Sequence, residues 1–224
     1  MSLAEKLRAL GEDPVAINCD ALQVYEGLDV LTGAATAGER ERLEHRLLGF
    51  VPVTRDFSVG DYMPLAHAEI DAALGAGRRP IVVGGTGLYL RAALAELSLK
   101  KVPPGSAGSE LWSPRTRHPT TIFGLDMDRA QLYERIDTRV EAIVAAGAAA
   151  EARRAAALGP GRTARKALGF DELLAGDLET MKKRSRNYAR RQLTWMRKIP
   201  NLELVDRTGL GDEEVASRIA QGPR

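Results

Sequence analysis

Pro80-Ile81-Val82-Val83-Gly84-Gly85-Thr86-Gly87-Leu88-Tyr89 is the stretch that sets the fold class. Its first four residues form a short apolar run with no polar alternation. That pattern predicts a strand buried on both faces, as in a parallel sheet. Gly84-Gly85 closes the strand, and a helix is predicted to start near Leu88 and run through Arg91-Ala92-Ala93-Leu94. The same succession stands upstream. Pro14-Val15-Ala16-Ile17-Asn18 reads as a second apolar strand. A short helix precedes it over residues 3–10, with Leu3, Leu7 and Leu10 on one stripe and Gly11 at its end. Between the strands, residues 58–76 carry helical spacing, with Asp61 in the first turn and Ile70 and Leu74 on one face. Helix and strand in alternation predict an α/β fold, a parallel sheet flanked by helices.

The pattern continues downstream. Two further strands are predicted at Thr120-Thr121-Ile122-Phe123-Gly124-Leu125 and Leu202-Glu203-Leu204-Val205. A long helix over 129–158 is lined by Leu132, Ile136, Val140, Ile143 and Val144 and interrupted at Gly147. A last helix covers 178–199. The run Lys100-Lys101-Val102-Pro103-Pro104-Gly105-Ser106-Ala107-Gly108-Ser109 reads as a loop. The expected organisation is an α/β core over 1–100, a joint at 101–110, and the rest of the core with basic helices over 111–224.

Composition narrows the function classes. The 224 residues are 44% hydrophobic and 28% charged, enough for a core and too balanced for a disordered chain. No run of about 18 apolar residues is present, so no membrane span is expected. The first residues carry no apolar signal core, which reads as a cytoplasmic protein. A single cysteine, Cys19, excludes an internal disulfide framework and a cysteine-based zinc site. His45, His67 and His118 show no ligand spacing, and no metal ligand is assigned among them. The net charge of +2 hides an asymmetry. Residues 182–198 hold eight Lys or Arg and no Asp or Glu, and taking these eight from +2 leaves the rest of the chain at −6. A basic segment on a mildly acidic body is either the footprint of a polyanion or a solvated helix face.

Two segments carry candidate chemistry. Asn18-Cys19-Asp20-Ala21-Leu22-Gln23-Val24-Tyr25 lies just past a strand, at the carboxyl edge of the sheet where open α/β folds bind ligands. Beside apolar Ala21 and Leu22, Asp20 is a candidate general base if desolvated; alternatively it caps the following turn. Gly84, Gly85, Thr86 and Gly87 stand between a strand and a helix start. There the backbone can approach an anion and free N–H groups can meet it; alternatively the glycines serve packing alone.

Taken together these segments resemble the tRNA dimethylallyltransferase (tRNA isopentenyltransferase) family. The likeness rests on Asp20-x-x-Gln23-x-Tyr25 and Gly84-Gly85-Thr86-Gly87-Leu88-Tyr89. It continues through Leu111-Trp112-Ser113-Pro114-Arg115, Gly124-Leu125-Asp126-Met127-Asp128-Arg129, Arg135-Ile136-Asp137-Thr138-Arg139-Val140 and Tyr188-Ala189-Arg190-Arg191-Gln192-Leu193-Thr194-Trp195. It spans nearly the whole chain in the family's order. The resemblance implies a fold like that of P-loop kinases. The implied reaction transfers a dimethylallyl group from dimethylallyl diphosphate to N6 of an anticodon-adjacent adenosine in tRNA, with Mg²⁺ as cofactor and nucleotide (ATP) binding as a family attribute. The chain is expected to be a monomer. Asp20 matches the family's general base and Thr86 a residue contacting the reacting region. Asp20, Ala21, Leu22 and Gln23 match the segment that meets tRNA. Arg139 matches a diphosphate-binding arginine, with Gly84 and Gly85 beside the diphosphate; read without the match, Arg139 is a surface arginine on a long helix. On the last helix, Tyr188, Trp195, Met196 and Ile199 share a face expected to be core. Lys183, Arg186, Arg190 and Arg197 share the opposite face, expected to meet the tRNA backbone.

The sequence also departs from the family pattern. No Gly-x-x-x-x-Gly-Lys-[Ser/Thr] loop, which in the family cradles the diphosphate and helps hold Mg²⁺, occurs in these 224 residues. Its strand is expected to be central, so that without it neighbouring strands keep unpaired N–H and C=O groups. Residues 101–110 stand where the family carries a helical insertion that grips tRNA. The expectation is that this chain as written turns over slowly or not at all. Two other readings stand beside it: an adenylate isopentenyltransferase acting on a free nucleotide, and a non-catalytic RNA-binding remnant.

Overall fold

The computed structural model describes residues 1–98 and 110–222. The predicted loop at 100–109 lies outside the described residues, as does the predicted joint apart from Glu110. In chain order the elements are α1 Ser2–Ala9, β1 Pro14–Asn18, α2 Asp29–Thr32, α3 Ala37–Arg42, β2 His45–Arg46, α4 Val59–Gly75, β3 Arg79–Val83 and α5 Gly87–Leu94. A 3-10 turn at Glu110–Trp112 leads to β4 Ile122–Asp126, α6 Arg129–Ala145, α7 Ala148–Ala157, α8 Phe170–Ala175, α9 Leu178–Met196, β5 Leu202–Asp206 and α10 Asp212–Ala220.

Local chemistry sets several boundaries. Ser58 and Asp61 form a reciprocal capping box that starts α4. Asp128 accepts from the N–H groups of Ala130 and Gln131 and starts α6. Gly147, at φ 99°, takes the left-handed conformation that separates α6 from α7.

Among the described residues every strand pair is parallel. One sheet has the order β2-β1-β3 and a second pairs β4 with β5. β1, with partners on both sides, is buried at all five positions. β3 departs from the expectation of burial on both faces. It bonds β1 along one edge only, its two end residues are exposed, and Val83 is 53% exposed. Among the described residues no strand pairs with the outer edge of β3 or the free edge of β4. An apolar run records what a strand can bury when both neighbours are present, and β3 has one. Leu74 likewise departs from its predicted face. Ile70 is buried, but a four-residue step turns about 400°, and Leu74 in the last turn is left exposed.

One hydrophobic core joins both halves of the chain. Ile17, Val24, Tyr25 and Tyr62 pack in the same cluster as Val140, Ala152, Phe170 and Met181. A smaller cluster of Leu94, Ile122 and Ile199, with Val82 and Leu202 against it, links α5 to both sheets. Among the described residues no helix is long and apolar enough to cross a membrane.

Candidate active site

The β1–β3 register pairs Asn18 with Val83, so the turns that follow the two strands meet at the carboxyl edge. Buried Asn18 organises the first turn. Its Oδ1 accepts from the Asp20 N–H (3.0 Å), its Nδ2 donates to Leu47 O (2.9 Å), and its own carbonyl accepts from the Tyr62 hydroxyl (2.8 Å). Half-buried Asp20 accepts from the Leu22 N–H through Oδ1 (2.9 Å), so this oxygen caps the turn. The other oxygen, Oδ2, lies beside Gly85. Thr86 Oγ1 accepts from the Ala21 N–H at 3.2 Å, which brings together two predicted residues 65 apart in sequence. A Cβ on Gly84 would stand 2.5 Å from the Cys19 carbonyl carbon and 2.7 Å from Asp20 N; one on Gly85 would overlap Gln192 Nε2. Close packing thus accounts for both glycines.

Helix α9 closes this corner. Gly85 O accepts from Gln192 Nε2 (2.9 Å) and from the Tyr188 hydroxyl (3.3 Å). Tyr188 was expected to be core. Its ring is half-buried, but its hydroxyl reaches the site beside Thr86 and Gln192, and burial pushes its pKa up. Gln192 was not singled out by sequence. Its contact spans 107 residues, and nothing in its local pattern marks it.

A second group of predicted residues meets at α2. Gln23 Nε2 donates to Thr32 O and Gly33 O, each at 3.2 Å, and Arg139 Nη2 donates to the same Thr32 O at 3.2 Å. Arg139 is exposed on α6, along an open cleft of about 750 Å³ that Arg135 and Thr138 also line. Ala21 and Leu22 pack against the core.

The basic face of α9 divides. Lys183, Arg190 and Arg197 are exposed. Arg186 is not a free cation: its Nη1 bonds both Asp137 oxygens, at 2.8 and 2.7 Å, and its guanidinium lies over the Tyr133 ring. α6 presents Asp137 at the same level, a long-range pairing that helical spacing on α9 alone does not reveal. On the other face Ile199 is buried and Trp195 packs on Trp112, ring centroids 5.0 Å apart. The His45 and His67 rings meet the Leu43 and Ala92 carbonyls, and His118 meets Asp71. Burial pushes the Cys19 thiol up. Among the described residues no three His, Cys, Asp or Glu side chains gather as a metal-binding group.

Parallel strands between helices, with a carboxylate, a hydroxyl and a glycine turn meeting at their carboxyl ends, define an α/β protein of the class that binds ligands at that edge. The model of the IPP transferase family matches residues 23–112 and 101–199. The chain is 34% identical to a tRNA dimethylallyltransferase of Salinispora arenicola, over 89% of this chain and 77% of that one. It is 36% identical to another from Rhodospirillum centenum, over 81% and 79%. Its fold superimposes on the full-length tRNA isopentenylpyrophosphate transferase of Bacillus halodurans with a TM-score of 0.83 at 26% identity, covering 98% of this chain and 88% of that one. The chain belongs to the IPP transferase family.

Proposed function

We propose that this protein modifies tRNA, transferring a dimethylallyl group from dimethylallyl diphosphate to N6 of an anticodon-adjacent adenosine. The observation that carries the reading is the hydrogen bond from the Ala21 N–H to Thr86, which brings the Asp20 turn against the Thr86 turn at the carboxyl edge, in a chain whose relatives are named for this activity. The exocyclic nitrogen is a poor nucleophile because its lone pair is delocalised into the ring. Asp20 takes the N6 proton as the N6–carbon bond forms. The carbon–oxygen bond to the diphosphate breaks, its electron pair leaves with the diphosphate, and Arg139 offsets the growing charge. The target base must leave its stack to reach this corner. Exposed Lys183, Arg190 and Arg197 give the tRNA backbone a cationic track. Mg²⁺ is the metal expected with a diphosphate, but the described residues build no cage for it, and no step here runs through it. The reading takes the protein to be a cytoplasmic monomer.

The test is label transfer from dimethylallyl diphosphate to an unmodified tRNA transcript, with Mg²⁺, followed by nucleoside analysis. Label is expected in N6-substituted adenosine at a slow rate, because these 224 residues hold no Gly-x-x-x-x-Gly-Lys-[Ser/Thr] loop, and is expected to fall on the order of 10²- to 10⁴-fold further in Asp20→Asn. Salt-sensitive tRNA binding with no transfer would overturn the enzymatic reading and leave RNA binding in its place.

A further inference from the structure

Helix α2 has four residues, too few to hold a helix alone, yet it is bonded at both ends. At its start the N–H groups of Val30 and Leu31 donate to the two oxygens of Glu151, at 3.0 and 2.8 Å. Glu151 stands on α7 and is 5% exposed, and no cation among the described residues pairs with it. A buried carboxylate there is held by charge-assisted bonds at the positive end of the helix. At the other end, about 6 Å along by helical rise, Thr32 O receives Arg139 and Gln23, and Gly33 O receives Gln23 again. The Arg139 guanidinium lies so close to Gly33, at φ 61°, that a Cβ there would overlap it.

We propose that Glu151 is a positioning residue: through α2 it fixes the carbonyls that aim Arg139 and Gln23 at the site. The inference deepens the proposed function and rests on Arg139 meeting the diphosphate. Without the carboxylate, the buried N–H of Leu31 loses its acceptor and the helix its anchor. Arg139 and Gln23 then lose the surface that orients them.

The test compares the full chain with Glu151→Gln, Glu151→Ala and Gly33→Ala. It follows the Arg139 Nε–H resonance by NMR and the affinity for inorganic pyrophosphate by calorimetry, with near-ultraviolet circular dichroism to confirm folding. Glu151→Ala is expected to move the Arg139 resonance into the averaged range of free surface arginines. It should also weaken pyrophosphate binding on the order of tenfold. Glu151→Gln, which keeps one acceptor oxygen, recovers part of both, and Gly33→Ala reproduces the loss with Glu151 intact. An unmoved Arg139 resonance in folded Glu151→Ala overturns the proposal. If that variant does not fold, an unmoved resonance in both other variants does so. Failure of pyrophosphate to bind the unmodified chain overturns the diphosphate role of Arg139 instead, and the resonance still decides the role of Glu151.

Discussion

At the scale of single residues, the candidate site depends on atoms that are missing. Gly84 touches the backbone of Cys19 and Asp20, so Gly84→Ala must push two turns apart. Overpacking of this kind costs about 1–3 kcal/mol. Urea unfolding should show that loss, and an unchanged midpoint would mean that the turns part freely. The placement of Asp20 and Thr86 at adjoining turns was legible in sequence because each follows a strand of the same sheet. Glu151 was not read, although it left a signal. Ala148, Ala152 and Ala155 form a buried stripe, and a lone carboxylate within it has to find partners elsewhere. Helical spacing puts Tyr188 on the face of Trp195, Met196 and Ile199 and says nothing of where its hydroxyl ends.

At the scale of elements, α4 is strapped to the segment leading into β4. Arg117 bonds both oxygens of Asp71, at 3.1 and 2.8 Å, and His118 meets one of them. The Arg117 guanidinium, and then His118, hold the Asp71 carboxyl at about 2. A carboxyl lowered by folding adds stability that is complete above its unfolded range, near 4, and is lost as pH falls through its folded value. The stability difference between the unmodified chain and Asp71→Asn should therefore be present above about pH 5 and close between about pH 4 and 2. A difference that widened with acid would refute the ion pair. Helices α4 and α9 were legible because a capping box and a long run of compatible residues announce themselves locally. The two-residue β2 was not predicted; it exists by pairing with β1, and no local property of His45-Arg46 requires it. Short α2 is held in the same way, from outside.

For the whole molecule, the parallel α/β plan followed from strand and helix in alternation, whereas the division into two sheets did not. Periodicity reports which residues seek burial, and it is silent on which edge each strand shares. The uneven charge has a measurable consequence. If α9 tracks a nucleic-acid backbone, Lys183→Ala, Arg190→Ala and Arg197→Ala should each flatten the salt dependence of tRNA binding by about one unit of log–log slope. Arg186→Ala should leave that slope unchanged and lower stability by about 1 kcal/mol, because its charge is spent on Asp137. Equal slopes for all four would place the RNA elsewhere. The unshared edges of β3 and β4 have a different consequence. Among the described residues each presents a ladder with one side unpaired, next to Val83 and Leu125, which are 53% and 44% exposed. Such an edge accepts extended polypeptide of any origin. Crowding thus becomes a variable in its own right: light scattering should climb steeply with protein concentration and subside in Val83→Lys, so the hazard this molecule faces in a concentrated solution is its own neighbours.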